Sequence, residues 1–376
     1  MAKIAVLGAG MVGSVIAQDL AQKQQVTSAD ISDTALARLT GKGMKTQRLD
    51  TGDAVALTAF VQPFDLVVCA VPGFMGYRTL KVLIEAGKNV ADISFSPEEA
   101  LELDALAKSK GVTALVDIGV APGMDNIILG HHDARMKVMR FECLVGGLPK
   151  HPKPPFLYKA PFSPIDVIEE YTRPARLQRG GKIVTLSALT ERELVAFEDI
   201  GTLEAFNTDG LRSLLKTMAH IPDMAEKTLR YPGHVALIEA LIQAGFFAEG
   251  EVEIGGARIR PLELSAKLLM DQWKLEPGEP EFTVMRVTVE GEENGQRLRH
   301  VWDMHDEYDP ATGFSSMART TGFTCAAGAN LLLENKFRKP GVHPPESVGR
   351  DENCFNYVLA YLKQRQVHYR HSIHAV

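Results

Sequence analysis

The sequence predicts an α/β protein. Its first domain is a doubly wound parallel sheet, and an inserted second domain is α+β. Three observations predict this. Over residues 3–118, short apolar runs alternate with amphipathic stretches of helix length. Those early runs are apolar throughout, as in parallel strands covered on both faces. Beyond Pro122-Gly123 the runs alternate apolar with polar, as in antiparallel strands with one solvated face. The 376 residues suit two domains of about 150 each, and 45% hydrophobic residues exclude a disordered chain.

The elements follow in order. Residues 3–7 form a strand ending at Gly8, and Val12, Val15, Ile16 and Leu20 then recur at helix spacing. A second strand ends at Asp30-Ile31, where Ser32 or Asp33 can cap the next helix. Residues 46–49 read as a third strand. Residues 65–70 read as a fourth, closed by Pro72-Gly73, and 89–93 and 113–118 as two more. Past the change of rhythm, 140–145 is a strand, followed by a proline-rich stretch from Pro149 to Pro155. Residues 182–186, 251–254 and 282–289 alternate. The last of these and 298–304 flank Gly291-Glu292-Glu293-Asn294-Gly295, a hairpin signature. Helical patterns cover 208–220 and 232–245, return near Thr324, and end in the amphipathic segment 351–366. This end of the chain is expected to pack back on the first domain. The expected domains are therefore 1–122 with 325–376, and 123–324.

Charge and cysteine usage exclude several functions. A net charge of −6 offers no basic field for nucleic acid or anionic lipid. No apolar run is long enough to span a bilayer. The N-terminal apolar stretch is broken by glycines and reads as a strand, so a cytoplasmic location is expected. Cys69, Cys143, Cys325 and Cys354 form no Cys-x-x-Cys pair, which argues against a disulfide framework or a cysteine zinc site. His368, His371 and His374 read as a solvated tail, and no metal is expected.

Gly8-Ala9-Gly10-Met11-Val12-Gly13 is Gly-x-Gly-x-x-Gly between a strand and a helix, the context of a Rossmann dinucleotide fingerprint. Gly8 permits the tight turn, Gly10 the approach of a pyrophosphate, and Gly13 close packing of helix on strand. The helix start, with Met11 and Val12, presents free N–H groups to the phosphates. Asp30 stands where a carboxylate takes the adenosine ribose hydroxyls and repels a 2′-phosphate. No Arg or Lys follows nearby in the sequence, so NAD is favoured over NADP. Asp50 can reach the adenine amine or cap the next helix. Ala70, Val71 and Pro72 end the fourth strand beside the crevice where strand order reverses.

Further motifs lie in the second domain. They are Val145-Gly146-Gly147-Leu148-Pro149, Tyr158-Lys159, Phe162-Ser163-Pro164 and Tyr171-Thr172-Arg173-Pro174-Ala175-Arg176. Asp209-Gly210-Leu211-Arg212, Leu229-Arg230-Tyr231-Pro232-Gly233-His234 and Thr320-Thr321-Gly322-Phe323-Thr324 follow. With the fingerprint and Gly119-Val120-Ala121-Pro122-Gly123, the chain resembles the saccharopine dehydrogenase-like family over nearly its whole length. Within that family it is most similar to members that oxidise the ε-amine of L-lysine. The resemblance implies a Rossmann domain and an inserted domain that binds substrate and forms a homodimer. It implies NAD-dependent conversion of lysine to its 6-semialdehyde, which cyclises, with release of ammonia. Saccharopine- and carboxynorspermidine-type reductases are the alternative within the family, and a silent NAD-binding protein the alternative outside it.

That chemistry sets demands. Only a neutral amine expels a hydride, and a free ε-ammonium has a pKa of about 10.4. Deprotonation at pH 7 therefore costs about 4.6 kcal/mol. A dry pocket or a cationic neighbour must lower that cost, and a base must take the proton. Asp92 and Asp117, at the ends of predicted parallel strands, can hold the amine or accept its proton. Lys159, beside Tyr158, is a candidate cation. Arg173, Arg176, Arg212 and Arg230 compete for the substrate carboxylate. Tyr231 and His234 offer a hydrogen bond and a proton relay, and Thr320 can bond substrate or cap a helix.

Overall fold

The computed structural model describes residues 1–160 and 164–376, so Phe162 and Ser163 of one motif lie outside the described residues. The chain divides into two compact units. One is Met1–Lys137 with Ala318–Tyr369, and the other is Val138–Met317 with Arg370–Val376.

The first unit opens with β1 (Lys3–Leu7), α1 (Met11–Ala21), β2 (Gln25–Asp30), α2 (Asp33–Ala37), β3 (Lys45–Arg48) and α3 (Ala54–Val61). It continues through β4 (Leu66–Cys69), α4 (Gly73–Glu85), β5 (Asn89–Asp92), α5 (Asp104–Lys110), β6 (Thr113–Leu115) and α6 (Met124–Asp133). These strands lie in the order β6-β5-β4-β1-β2-β3, with parallel pairing throughout. The order reverses between β1 and β4, which is the switch point where open α/β sheets bind ligands. In β4 every residue is buried, as the apolar run Leu66-Val67-Val68-Cys69 requires of a central strand. At the edge, β3 is exposed along its length and its residues are polar.

The second unit contains β7 (Lys137–Pro149), α7 (Pro164–Thr172), β8 (Ala175–Arg179), β9 (Lys182–Leu186), β10 (Glu193–Phe197) and β11 (Gly201–Asn207). Next come α8 (Leu214–Thr217), β12 (Asp223–Arg230), α9 (His234–Gln243), β13 (Val252–Ile254), β14 (Ala257–Ile259) and α10 (Pro261–Trp273). The long hairpin of β15 (Glu281–Glu293) and β16 (Gln296–Glu307) turns at Asn294-Gly295, as the sequence predicts. The helix α11 (Ser316–Leu333) leads back to the first unit. There β17 (Gly341–His343) adds a parallel strand to β6, followed by α12 (Pro345–Gly349) and α13 (Glu352–Gln364). Last, β18 (Tyr369–Ala375) joins β16, so the second sheet runs β10-β11-β12-β7-β15-β16-β18, with β8 on β12 and β9 on β8.

Several expectations are corrected. The predicted helix over 208–220 shrinks to α8. Gly210 lies against the Glu226 side chain, where a Cβ would fall 2.0 Å from it, and Arg212 takes a left-handed φ of 42°. The histidine tail is exposed, as expected, but from Tyr369 to Ala375 it is ordered as a strand: the His371 ring stacks on Trp302 at 4.1 Å and its Nε2 meets His300 Nδ1 at 3.0 Å. The units divide at 137 and 317 rather than at 122 and 324, because α6 is built into the first unit. Its backbone touches α12 so closely that a Cβ on Gly349 would fall 1.9 Å from the Ile127 carbonyl. The segment 351–366 lies in the first unit, where Tyr361 of α13 and Arg365 just beyond its end donate to Asp19 of α1 at 2.5 and 2.6 Å. Among the described residues no helix is long and apolar enough to cross a membrane.

Candidate active site

The loop after β1 fits a dinucleotide. Gly8 has φ 99°, and a Cβ there would fall 2.3 Å from the Ala70 carbonyl oxygen. A Cβ on Gly13 would fall 2.2 Å from the Gly8 carbonyl oxygen, so helix and loop touch only because both residues are glycine. Gly10 has nothing within 4 Å of its Cβ position, which leaves the open approach a pyrophosphate needs. Gly10 caps α1, the exposed Met11 and half-buried Val12 begin it, and no acidic residue sits in its first turn. Its positive end is therefore uncompensated. Ala70, Val71 and Pro72 form the opposing wall, with Pro72 capping α4.

Asp30 ends β2. Its Oδ2 accepts from Ala9 N at 2.7 Å and its Oδ1 from Ser32 N at 2.8 Å. A carboxylate has about four acceptor positions, so lone pairs remain for ribose hydroxyls. Asp50 is corrected as a helix cap. Its Oδ1 accepts from Gly52 N at 2.8 Å, and Asp53 caps α3 instead. A second correction concerns the charge beside Asp30. The parallel register sets Arg48 opposite Asp30, and Arg48 Nε donates to the Ile31 carbonyl at 3.3 Å. Sequence reasoning missed this arginine because only the pairing of β2 with β3 brings it there.

Buried carboxyl groups gather at the C-terminal edge of the same sheet. Asp92 ends β5 and is 3% exposed, and its Oδ1 accepts from Ser94 N at 2.8 Å. Burial pushes its pKa up to about 7; Ser94 opposes this, and the Asp117 charge adds to it. Asp117 is buried at a left-handed φ of 53°. Cys69, at the end of β4, lies 3.5 Å from Ser94 Oγ, and burial followed by the Asp92 charge pushes its thiol well up. The sequence reading also missed Asp125 in the first turn of α6. Fully buried, it accepts from Gly123 N at 2.9 Å through Oδ1, while its Oδ2 has no partner. Burial and the nearby Glu346 charge raise its pKa. The signal was present: Asp125 directly follows the Pro122-Gly123-Met124 turn, which reads from sequence only as backbone.

In the second unit Tyr158, Tyr171, Arg230 and His234 form one buried cluster. Arg230, 2% exposed, donates from Nε to Tyr171 Oη at 2.9 Å and from Nη1 to the Leu229 carbonyl at 3.0 Å. Its Nη2 reaches Glu170 at 2.9 Å, and its guanidinium lies over the Tyr158 ring at 4.4 Å. The Phe156 carbonyl only accepts, so His234 Nδ1 carries the proton that bonds it at 2.7 Å. Nε2 then accepts from Tyr171 Oη at 2.9 Å. Burial, and then the Arg230 charge, lower the His234 pKa to about 3. The expectation of a proton relay gives way to a neutral ring that orients Tyr171 near pH 7.

The other candidates are held as follows. Lys159 Nζ donates to the Lys274 carbonyl at 3.0 Å. Arg173 pairs with Glu169 on its own helix at 2.5 Å, and Arg176 forms a two-toothed pair with Asp209. Tyr231 Oη donates to the Pro149 carbonyl at 2.9 Å. Thr320 is buried in α11, where its carbonyl accepts from Thr324. Arg212 sits half-buried in the turn before α8.

A dinucleotide loop and buried carboxyl groups on one edge of a parallel sheet define a nicotinamide-dependent oxidoreductase. Comparison with known proteins gives the family. Residues 4–115 match the saccharopine dehydrogenase NADP binding domain, and residues 119–367 match the saccharopine dehydrogenase C-terminal domain. The chain belongs to the saccharopine dehydrogenase family, whose members are oxidoreductases acting on CH–NH groups. It is 23% identical to the saccharopine dehydrogenase [NADP(+), L-glutamate-forming] of Schizosaccharomyces pombe, over 93% of this chain and 94% of that protein. It is also 23% identical to the carboxyaminopropylagmatine dehydrogenase of Synechocystis, over 93% and 94%. The match to the Pyricularia oryzae saccharopine dehydrogenase, at 26% identity, spans 66% of this chain and 58% of that protein. That to the Arabidopsis thaliana alpha-aminoadipic semialdehyde synthase, at 28%, spans 53% of this chain and 20% of that protein. The fold matches that of apo saccharopine dehydrogenase from Saccharomyces cerevisiae with a TM-score of 0.83, 21% identity and full coverage of both chains.

Proposed function

We propose that the protein is an NAD-dependent dehydrogenase that oxidatively deaminates the ε-amine of L-lysine. Its product is the 6-semialdehyde, which cyclises, with release of ammonia. The observation that carries the reading is Asp92, a buried carboxyl group poised near neutrality on the ligand-binding edge of the sheet. A base of that strength takes an amine proton at working pH without being swamped by solvent protons. Asp117 adds negative charge beside it, which favours an incoming ammonium. Gly8, Gly10, Gly13 and Asp30 would hold the dinucleotide, whose nicotinamide accepts the hydride when bound.

Lysine is favoured over saccharopine by where the arginines are spent. Arg173, Arg176 and Arg230 all have carboxylate partners within the chain. Saccharopine carries three carboxylates to be neutralised, and lysine carries one. Asp30 supports NAD, because a 2′-phosphate would meet its like charge. The reading also takes the enzyme to be a cytoplasmic homodimer with no bound metal. A second reading, an NADP-dependent saccharopine-type enzyme, is favoured by the names of the relatives and by Arg48 beside Asp30.

One experiment separates the two. The protein is incubated with NAD or NADP and, in turn, lysine, ornithine, saccharopine and carboxynorspermidine, and reduced-cofactor absorbance is followed. We expect turnover with lysine and NAD. Turnover confined to saccharopine would transfer the assignment to the second reading.

A further inference from the structure

The histidines at the end of the chain have no part in the proposed reaction. His371 lies on β18 and His300 on the neighbouring β16, both in the second unit. The His371 ring stacks on Trp302, with the two planes 8° apart. Its Nε2 faces His300 Nδ1 at 3.0 Å, and the two imidazole planes differ by 14° with centroids 5.2 Å apart. His300 presents its other nitrogen, Nε2, to Glu293 Oε2 of β15 at 3.3 Å. A carboxylate only accepts, so it holds the His300 proton on Nε2 and leaves Nδ1 with a lone pair toward His371. His371 is exposed, so its own proton can move to Nδ1 through solvent and leave Nε2 with a second lone pair. Converging neutral imidazole nitrogens are zinc ligands. With Zn–N of about 2.05 Å and a tetrahedral angle, two such nitrogens stand about 3.3 Å apart and their ring centroids about 5.2 Å apart. The centroids already have that separation. The rings need only pivot to spread their nitrogens by about 0.3 Å, and water reaches the remaining positions at the exposed His371. His374, three residues further along the strand, falls on its opposite face and contacts Ser372 Oγ at 3.0 Å.

We propose that His300 and His371 form an exchangeable zinc site, oriented by Glu293, that clips the last strand of the chain to β16. The ion takes the place of the proton that the two rings share. It is a clip and not a resident cofactor: the proposed oxidation needs no metal, and the site is tested independently of it.

The test titrates zinc chloride into the full chain by calorimetry, with neither dinucleotide nor amine present. It compares the native protein with His371→Phe, Glu293→Gln and His374→Ala. Phenylalanine keeps a ring on Trp302, and Glu293 and His374 are not buried, so all three variants are expected to fold, which melting curves without zinc check. The native chain should bind a single zinc ion, and His371→Phe should lose that binding. Glu293→Gln should weaken it about 10- to 100-fold, the cost of losing the group that orients a metal-bound histidine. His374→Ala should change it less than about twofold, as an independent position does. Zinc should also slow amide exchange across Tyr369–Ala375 in the native chain and leave it unaltered in His371→Phe. A native chain that binds no zinc, or binding that survives in His371→Phe, would overturn the proposal. Binding lost in His374→Ala would overturn it too, as capture by the tail alone. An affinity unmoved by Glu293→Gln would overturn the orienting role of Glu293.

Discussion

A carboxyl group deprived of water holds its proton, and Asp92 shows what that does to stability. Its pKa is about 7 in the fold against an ordinary 3.8. A group raised in this way contributes stability that is fully present below 3.8 and is lost as pH rises through 7. The difference is worth on the order of 4 kcal/mol. Asp92→Asn should therefore match the native protein at pH 4, melt higher at pH 8, and lose the decline between them. Thermal melts of both across that range check this, and parallel curves would refute it. His234 has the opposite sign. Its lowered pKa gives stability that is present above 6.5 and lost as pH falls toward about 3. Arg230 and Arg173 make a second test. Removing Arg230 breaks its bond to Glu170 and unties the buried Tyr171, so Arg230→Ala should cost about 1.5–3 kcal/mol, the scale of lost hydrogen bonds to a charged group. Arg173→Ala, on a helix surface, should cost less than about 1 kcal/mol. Denaturant unfolding measures both, and equal costs would mean the Arg230 cluster contributes no more than a surface pair. These distinctions were not legible in the sequence: both arginines sit in similar basic motifs, and only burial separates them.

At the scale of the element, what was legible depended on whether local pattern and final burial agree. The strands β1, β4 and β5 were legible because a central parallel strand must be apolar on both faces, and their sequences are. The hairpin of β15 and β16 was legible because Asn294-Gly295 supplies the turn. By contrast β12 drew no strand reading from the sequence, since four of its eight residues are charged, yet Glu226, Lys227 and Arg230 are buried in it. Their partners come from distant strands and helices, so no local pattern records them. Likewise β18 is a strand because β16 offers it an edge, not because its own residues demand one. The glycine fingerprint was the most legible element, since each glycine answers a separate geometric demand, and this separation can be tested. Gly13→Ala drives a Cβ into the Gly8 carbonyl, so it should lower the melting temperature by several degrees and weaken NAD binding. Gly10→Ala meets no protein atom within 4 Å, so it should melt within about 2 °C of native while weakening NAD about tenfold or more. Melting curves and calorimetry on the pair decide it. Loss of stability in Gly10→Ala would show that the loop has a purely structural need for glycine there.

For the molecule as a whole, the chain passes from the first unit to the second and back, then leaves its last residues in the second sheet. The sequence showed the return of the chain, but the place of each crossing depends on backbone contacts such as that between α6 and α12. The proposed reaction makes a demand on the whole protein that one profile can read. Productive encounter with lysine joins the ε-ammonium, the form that predominates below about pH 10.4, with a base that has lost its own proton and can take the one from the amine. For Asp92 that loss falls near pH 7. Below pH 7 the ionised base rises tenfold per pH unit, so log kcat/KM should climb with a slope approaching one. Between about 7 and 10 neither group titrates, and the profile should be level. Asp92→Asn should be slower by roughly 100-fold or more and, able to use only lysine that is already neutral, should rise with a slope of one across the whole range, because its side chain cannot titrate. The measurement is initial NADH formation at subsaturating lysine and saturating NAD from pH 5.5 to 10. A native profile with no break near 7 would remove Asp92 from the role of base. A break that persists in Asp92→Asn would move that role to another buried carboxyl group, and Asp125, with its raised pKa and its unpartnered oxygen, is the next to test.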